Sequence, residues 1–485
     1  MKRTFLWVVC LLALVALTAF GQGPDRSAPP KPGAPPTLSL PPIQHFTLKN
    51  GLPVVLVEKH GVPVVQVNLL VRAGSAMDPA GKRGLASLTA TMMMEGAGTR
   101  GALALADAID YLGATVSSSA GQHEMAVRLH TPVARLDSAL ALFADVALRP
   151  QFPAAELDRK RAERLTGLIQ WRDEPRILCS VAFNRALYGD VHTYGVPVTG
   201  DERSLKNIAV SDLRAFHGSY FRPNNATLIV VGDVKPRNVL AKLEKALGTW
   251  PRGSAAPAPL PPIEQVKARS IVLVDKPGAA QTVIRIGRVG VPRTTEDFAS
   301  IVVMNTILGG SFTSRLNNNL REQKGYTYGA GSAFDFRPLP GPFVASSSVQ
   351  TAVTAEALTE FFRELQNIRE PVTEAELERA KNYVALSYPA DFQTVRDIGF
   401  QIEELVTYRL PDDTFNRYIS TILAVTRSDV ERVANKTIDP AAVVVVLVGD
   451  RKVIEAPVAA LGLGPIEVRS VDDVLGKAPV VEPAR

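Results

Sequence analysis

The sequence predicts two tandem copies of one α+β domain, each a mainly antiparallel sheet with helices packed on one face. Three observations carry this expectation. The chain has 485 residues, too many for one ordinary domain and comfortable for two. Hydrophobic residues make up 46% and charged residues 21%, a globular balance. The sequence also repeats itself: SDLRAFHGSYFRPNNATLIVVGD from Ser211 returns as SDVERVANKTIDPAAVVVVLVGD from Ser428. Ser211, Asp212, Pro223, Gly232 and Asp233 recur as Ser428, Asp429, Pro440, Gly449 and Asp450, each 217 residues on (428 − 211). A constant offset without a gap is the mark of a duplicated domain.

The N-terminal MKRTFLWVVCLLALVALTAFGQG has Lys2 and Arg3, then an apolar run from Phe5 to Phe20 and small residues near a cleavage point. This run is shorter than the roughly 20 apolar residues of a membrane anchor, so residues 1–21 are expected to be a cleaved signal peptide. No other apolar run is long enough to span a bilayer, and no membrane span is expected after cleavage. Cys10 lies inside the signal, which leaves Cys179 alone and rules out an intramolecular disulfide. Export without disulfides suits a periplasm. The formal charge of +6 becomes about +4 once Lys2 and Arg3 leave (6 − 2), with no basic run, so no nucleic-acid partner is expected.

Residues 22–43 are rich in Pro and small residues and read as a tether, and residues 250–264 (from WPRGSAAPAPLPPI) as a linker. They bound a first domain at 44–249, followed by a second at 265–470 and a tail at 471–485. Each copy opens with strands, LPVVLVEK and VVQVNLLVRAG or SIVLVDK and TVIRIGRVG. Helical stretches follow at 102–112 and 134–148, or 355–367 and 374–387. Each closes with a helix start, where Ser211 and Ser428 can cap, a Pro-containing turn and a buried strand.

Several blocks, in order, resemble the pitrilysin-like zinc peptidases, the family that includes the mitochondrial processing peptidases. They are RGLASLTATMMMEGAGTRG, FPAAELDRKRAERLTGLIQWRDEP, YFRPNNATLIVVGD and LGGSFTSRLNNNLREQKGYTYGAGS, and the resemblance spans Phe46 to Val448. It implies two lobes that form half of a clamshell chamber. Members that cut peptides carry H-x-x-E-H on the first helix. Positions i, i+3 and i+4 share one helical face, so two His can bind zinc while the Glu faces the bound water. A Glu on a later helix completes the ligands.

In this chain Ser87, Ala90 and Thr91 stand at those three positions, and the later ligand falls near Gly167. Alanine and glycine have no side-chain donor atom, and Ser and Thr hydroxyls are weak ligands beside imidazole or carboxylate. No zinc site and no cofactor are therefore expected in this chain. In HEMAVRLH, His123 and His130 have opposite parity on a strand and point to opposite sides. The Met92, Met93 and Met94 run reads as core packing, with an adaptable binding surface as the alternative.

The second domain keeps more. Arg321 ends a helix that Gly325 terminates in a left-handed turn. YTYGAGSAF reads as a strand with Tyr326, Tyr328 and Ala330 on one face and Gly329 and Gly331 on the other. LGGSFTSRL reads as a Gly-Gly turn into a Ser-capped helix. By the resemblance, Arg321 and Tyr328 are the substrate-binding pair that faces the zinc across a cavity. Guanidinium and phenol can both donate to a peptide carbonyl and to the oxyanion that grows on it.

The expected function is thus a non-catalytic partner subunit in a heterodimeric zinc metallopeptidase, inactive alone. Its partner would be a homologous H-x-x-E-H chain that holds the zinc, and its substrate a peptide. The alternative is an inert envelope scaffold or peptide-binding protein of the same fold.

Overall fold

A computed structural model describes residue 33 and residues 37–255 and 260–479. The expected signal peptide and most of the expected tether lie outside the described residues. From Thr37 onward the chain forms one compact unit built on two six-stranded sheets.

The first sheet comprises β1 (Ile43–Thr47), β2 (Pro53–Glu58), β3 (Val64–Val71), β4 (Thr115–Ala120), β5 (Met125–Pro132) and β6 (Ala226–Gly232). Its order is β1-β2-β6-β3-β5-β4. The second comprises β7 (Ser270–Asp275), β8 (Gln281–Val289), β9 (Thr327–Phe334), β10 (Pro342–Gln350), β11 (Val444–Gly449) and β12 (Ile466–Arg469), in the order β9-β10-β8-β11-β7-β12. Five strands match between the sheets, each with one parallel pair, β2 with β6 and β7 with β11. The sixth differs, since β1 adds antiparallel to β2 and β12 adds parallel to β7. The repeat is thus physical: β6 and β11 are the strands that close the two 217-residue copies.

Helices α1 (Leu85–Met93), α2 (Ala102–Tyr111), α3 (Leu136–Leu148), α4 (Ala154–Trp171), α5 (Pro175–Tyr188) and α6 (Val210–Tyr220) follow in the first half. The second half contributes α7 (Thr354–Asn367), α8 (Glu374–Ser387), α9 (Val395–Tyr408), α10 (Arg427–Thr437) and α11 (Val471–Leu475). One face of each sheet carries a core shared with helices of its own half. Met92 and Met93 are fully buried there, as core packing requires.

The opposite faces are covered by an exchange. Val55, Val57, Ile229 and Val231 of the first sheet pack on Ile398, Ile402 and Leu405 of α9, from the second half. Val283, Val444, Val446 and Val448 of the second sheet pack on Leu178, Ala182 and Phe183 of α5, from the first. Glycine permits both approaches. A Cβ on Gly399 of α9 would lie 3.0 Å from Gln66 Cγ, and one on Gly287 would lie 2.7 Å from Phe183 Cζ. Cys179 is buried in this second interface, where burial pushes its thiol up to about 12.

Two local expectations are corrected. Ser211 and Ser428 are not caps, because α6 starts after Ala209 and α10 after Thr426. Asp212 and Asp429, at the third helical position, reach back to the Ala209 and Thr426 amides (2.8 and 3.0 Å). The expected linker starts on Trp250, which is buried and donates from its indole to the Phe221 carbonyl. The expected tail contains α11, whose Val474 is buried against the α5 interface.

Candidate functional site

The degenerate helix frame is built with care. Gly84 turns left-handed (φ 90°) just before α1, and a Cβ there would meet the Thr199 carbonyl oxygen at 2.5 Å. Asp78 accepts from the Gly84 and Ala86 amides (2.7 and 2.8 Å), which satisfies the free end of the helix. Burial pushes the Asp78 carboxyl up to about 7, against those amide bonds.

Ala90 is buried on α1, while Ser87 and Thr91 are half-buried. Gly167 lies on α4, and a Cβ there would meet open space. One turn earlier on α4, Arg164 donates to Thr91 Oγ1 (2.8 Å) and to the Ser87 carbonyl oxygen (2.9 Å). Burial lowers its guanidinium to about 10, so it stays charged at neutral pH. The residues do not fit a zinc ion. None supplies a strong donor, and a fixed cation bonds to two of the four positions. Among the described residues, no three His, Cys, Asp or Glu side chains gather in a metal-holding group. His123 instead meets the Tyr194 hydroxyl (2.6 Å), and His130 meets Gln66 Oε1 (3.2 Å).

The second predicted site is an open cavity of about 560 Å³ that Arg321 and Tyr328 both line. Neither Ser87, Ala90, Thr91 nor Gly167 lines it. Arg321 sits near the end of a wide helical turn, Asn318–Gln323, with its guanidinium 4.6 Å from the Phe312 ring centre. Gly325 is left-handed (φ 67°), as expected for the terminator. Ser314 occupies the cap position of the preceding short helix, but its side chain makes no capping bond.

The face assignment of β9 is corrected. The ladder with β10 shifts register between Thr327 and Ala330, so strict alternation fails there. The Thr327 hydroxyl holds the irregularity by accepting from the Gly329 amide (3.1 Å). Tyr326 then packs against the second core, while Tyr328 is 91% exposed. Sequence reasoning missed two further lining residues, Arg176 at the start of α5 and Arg285 on β8. The signal for Arg285 was present: a charge interrupts the apolar alternation of TVIRIG. Arg164 was equally readable, one turn before Gly167.

Fold and site together define a two-lobed, peptidase-type chain whose metal-ligand positions hold no ligands. Residues 53–186 match the family model described as "Insulinase (Peptidase family M16)", and residues 207–384 match "Peptidase M16 inactive domain". The chain belongs to peptidase family M16. A protein of Bacillus subtilis described as uncharacterized zinc protease YmxG is 24% identical over 342 residues, 70% of this chain and 82% of that one. The Helicobacter pylori protein described as non-peptidase homolog YmxG is 23% identical over 350 residues, 71% of this chain and 79% of its own. The solved M16 inactive domain from Pseudomonas fluorescens superposes with a TM-score of 0.80 at 28% identity, across 84% of this chain and 98% of that one.

Proposed function

We propose that this chain is the non-catalytic partner of a homologous H-x-x-E-H subunit in a zinc metallopeptidase. One observation carries the reading. The metal-ligand positions are closed by the Arg164 cation, while Arg321 and Tyr328 line an open cavity. The partner would supply the zinc and the chamber's other half. This chain's residues would bind and orient. Arg321 and Tyr328 would donate to the peptide carbonyl and to the charge that develops on it.

An extended peptide can bind by adding to a sheet edge. Along β9 that mode is closed, since Asn317 Oδ1 accepts from the Ala330 amide (3.2 Å) and Asn305 Nδ2 donates to the Ser332 carbonyl (3.1 Å). The outer strand of the first sheet, β4, is the edge left for it. The leader-like N-terminus supports export to the periplasm, and no helix of the described residues is long and apolar enough to cross a membrane.

The test is cleavage of a quenched fluorescent peptide library by this chain, by an H-x-x-E-H homologue of the same organism, and by their mixture. The reading expects activity in the mixture well above the homologue alone, and its loss with Arg321→Ala. A mixture no more active than the homologue, with the variant indifferent, favours the second reading: an envelope scaffold or peptide-binding protein. The description of the Helicobacter pylori relative as a non-peptidase homolog favours that alternative.

A further inference from the structure

The cavity that holds Arg321 and Tyr328 carries an unbalanced charge. Arg176 and Arg285 line it too, and no Asp or Glu does. The same two arginines line a second cavity of about 440 Å³, between α5 and the segment around Val196, again without a carboxylate. Among the described residues, neither Arg176 nor Arg285 has a hydrogen bond or an ion pair, and Arg321 has only Glu322, its chain neighbour, at 3.4 Å.

Arg285 is the more telling of the two. It lies on the β8 face that α5 covers, in line with buried Val283 and Val289. A guanidinium half-buried among valines without a counter-charge is costly unless something completes it. Its cross-strand neighbour is Ser346, and Ser346 faces Gly331 on β9. A Ser–Gly row leaves open floor in front of the cation.

The other half of the molecule shows what a completed version looks like. Counting back 217 residues, β8 corresponds to β3 and Arg285 to Asn68, while Ser346 corresponds in the ladder to Arg128 on β5. Arg128 is neutralised inside the protein: its Nε and Nη2 bind the two Glu403 oxygens at 2.7 and 2.6 Å. The first sheet thus closes its cation with an internal carboxylate from the exchanged helix α9. The second sheet has no such carboxylate from α5, and its arginines face an open cavity.

We propose that Arg176 and Arg285 form a carboxylate-recognition subsite, which makes this chain selective for peptides that carry an acidic group beside the segment held by Arg321 and Tyr328. This rests on the peptide-binding reading of that pair. The carboxylate comes from an Asp or Glu side chain or from a chain end. Arginine suits either, because its fork binds a carboxylate through two parallel N–H donors.

The experiment is fluorescence anisotropy with the full mature chain and three labelled peptides of one sequence. One has a central Asp and an amidated C-terminus, one has Asn in its place, and one has Asn with a free C-terminal carboxylate. The expected result is binding of one or both carboxylate peptides about tenfold tighter than the amidated Asn peptide, a preference that shrinks as salt rises. The peptide that gains identifies the source of the carboxylate. Arg285→Gln and Arg176→Gln should each abolish the preference while leaving the amidated Asn peptide's affinity within about twofold, and Arg285→Lys should restore part of it. Arg176 is exposed, so its variant stays informative if Arg285→Gln does not fold. Equal affinity for all three peptides, with Arg321→Ala weakening each alike, overturns the acidic subsite and leaves the Arg321 site standing. No binding of any peptide overturns both.

Discussion

Arg164 Nη2 lies 2.8 Å from Thr91 Oγ1, so α4 places a positive charge on the position where a zinc-binding relative has its second histidine. The loss of the metal site is therefore more than a loss of donors. A guanidinium now bonds the helix faces that a divalent ion would otherwise bridge.

Restoring the motif should show this. The variant with Ser87→His, Ala90→Glu, Thr91→His and Gly167→Glu is expected to bind zinc poorly, because the Arg164 charge opposes a second cation at short range. Adding Arg164→Ala should raise zinc affinity by about tenfold or more. Competition titration with a chromogenic chelator measures both, and equal affinities would refute the charge argument.

Asp78 predicts an unusual pH dependence. Burial raises its carboxyl from 3.8 to about 7, so the folded state holds the proton more tightly than the unfolded chain. Its contribution is present at low pH and is lost as pH climbs from about 4 to about 7, by up to about 4 kcal/mol. Asp78→Asn should flatten that fall. Urea unfolding of both proteins at several pH values in this window gives the two slopes, and parallel slopes would show that Asp78 does not titrate there.

Glu376 predicts the opposite sign. Arg315 grips it at 2.7 and 3.0 Å, and the Thr373 amide and hydroxyl also bond to it. The Arg315 guanidinium is the main reason its carboxyl falls from 4.5 to about 2. Its stabilisation is complete above about 4.5 and disappears as pH falls toward 2. Glu376→Gln should cost about 1–3 kcal/mol at neutral pH, and the gap from the parent should close in acid. Arg315 opens the short helix that runs into the Arg321 turn, so the same variant should also loosen the cavity wall. Hydrogen exchange over residues 315–325 reports that second effect.

Tyr328 separates function from folding. With 91% of its surface exposed, Tyr328→Phe should change unfolding stability by no more than about 0.5 kcal/mol. If its hydroxyl steadies the developing oxyanion, the same change should lower peptide cleavage by the mixed enzyme roughly 10- to 100-fold. Unchanged cleavage would remove Tyr328 from the proposed pair.

Much of this molecule can be read from its residues. The 217-residue repeat, the apolar strands that close each copy and the core role of Met92 and Met93 follow from spacing and hydrophobicity alone. The exchange of α5 and α9 does not, because an apolar stripe says that a helix face is covered but not which sheet covers it. Tyr328 was placed on the wrong pattern because alternation assumes a regular ladder, and the Thr327 hydroxyl supports an irregular one. The caps at Ala209 and Thr426 were missed by two residues, since Asp212 and Asp429 close them from inside the helix. Arg176 and Arg285 are 109 residues apart (285 − 176) and share a cavity only through the exchange.

That exchange also bears on how such a chain can arise and be taken apart. Each lobe lends a helix to the other and receives one in return, which is the arrangement of a swapped symmetric dimer whose two subunits have been joined end to end. Joining replaces an encounter between molecules with an internal one, at an effective concentration on the order of millimolar for a short flexible connection. Either lobe made by itself would carry one valine-rich sheet face bare and one helix with nothing to cover, so separate lobes should be insoluble while co-expressed lobes should find each other. A chain nicked between the lobes should likewise stay together until denaturant strips α5 and α9 from their borrowed sheets.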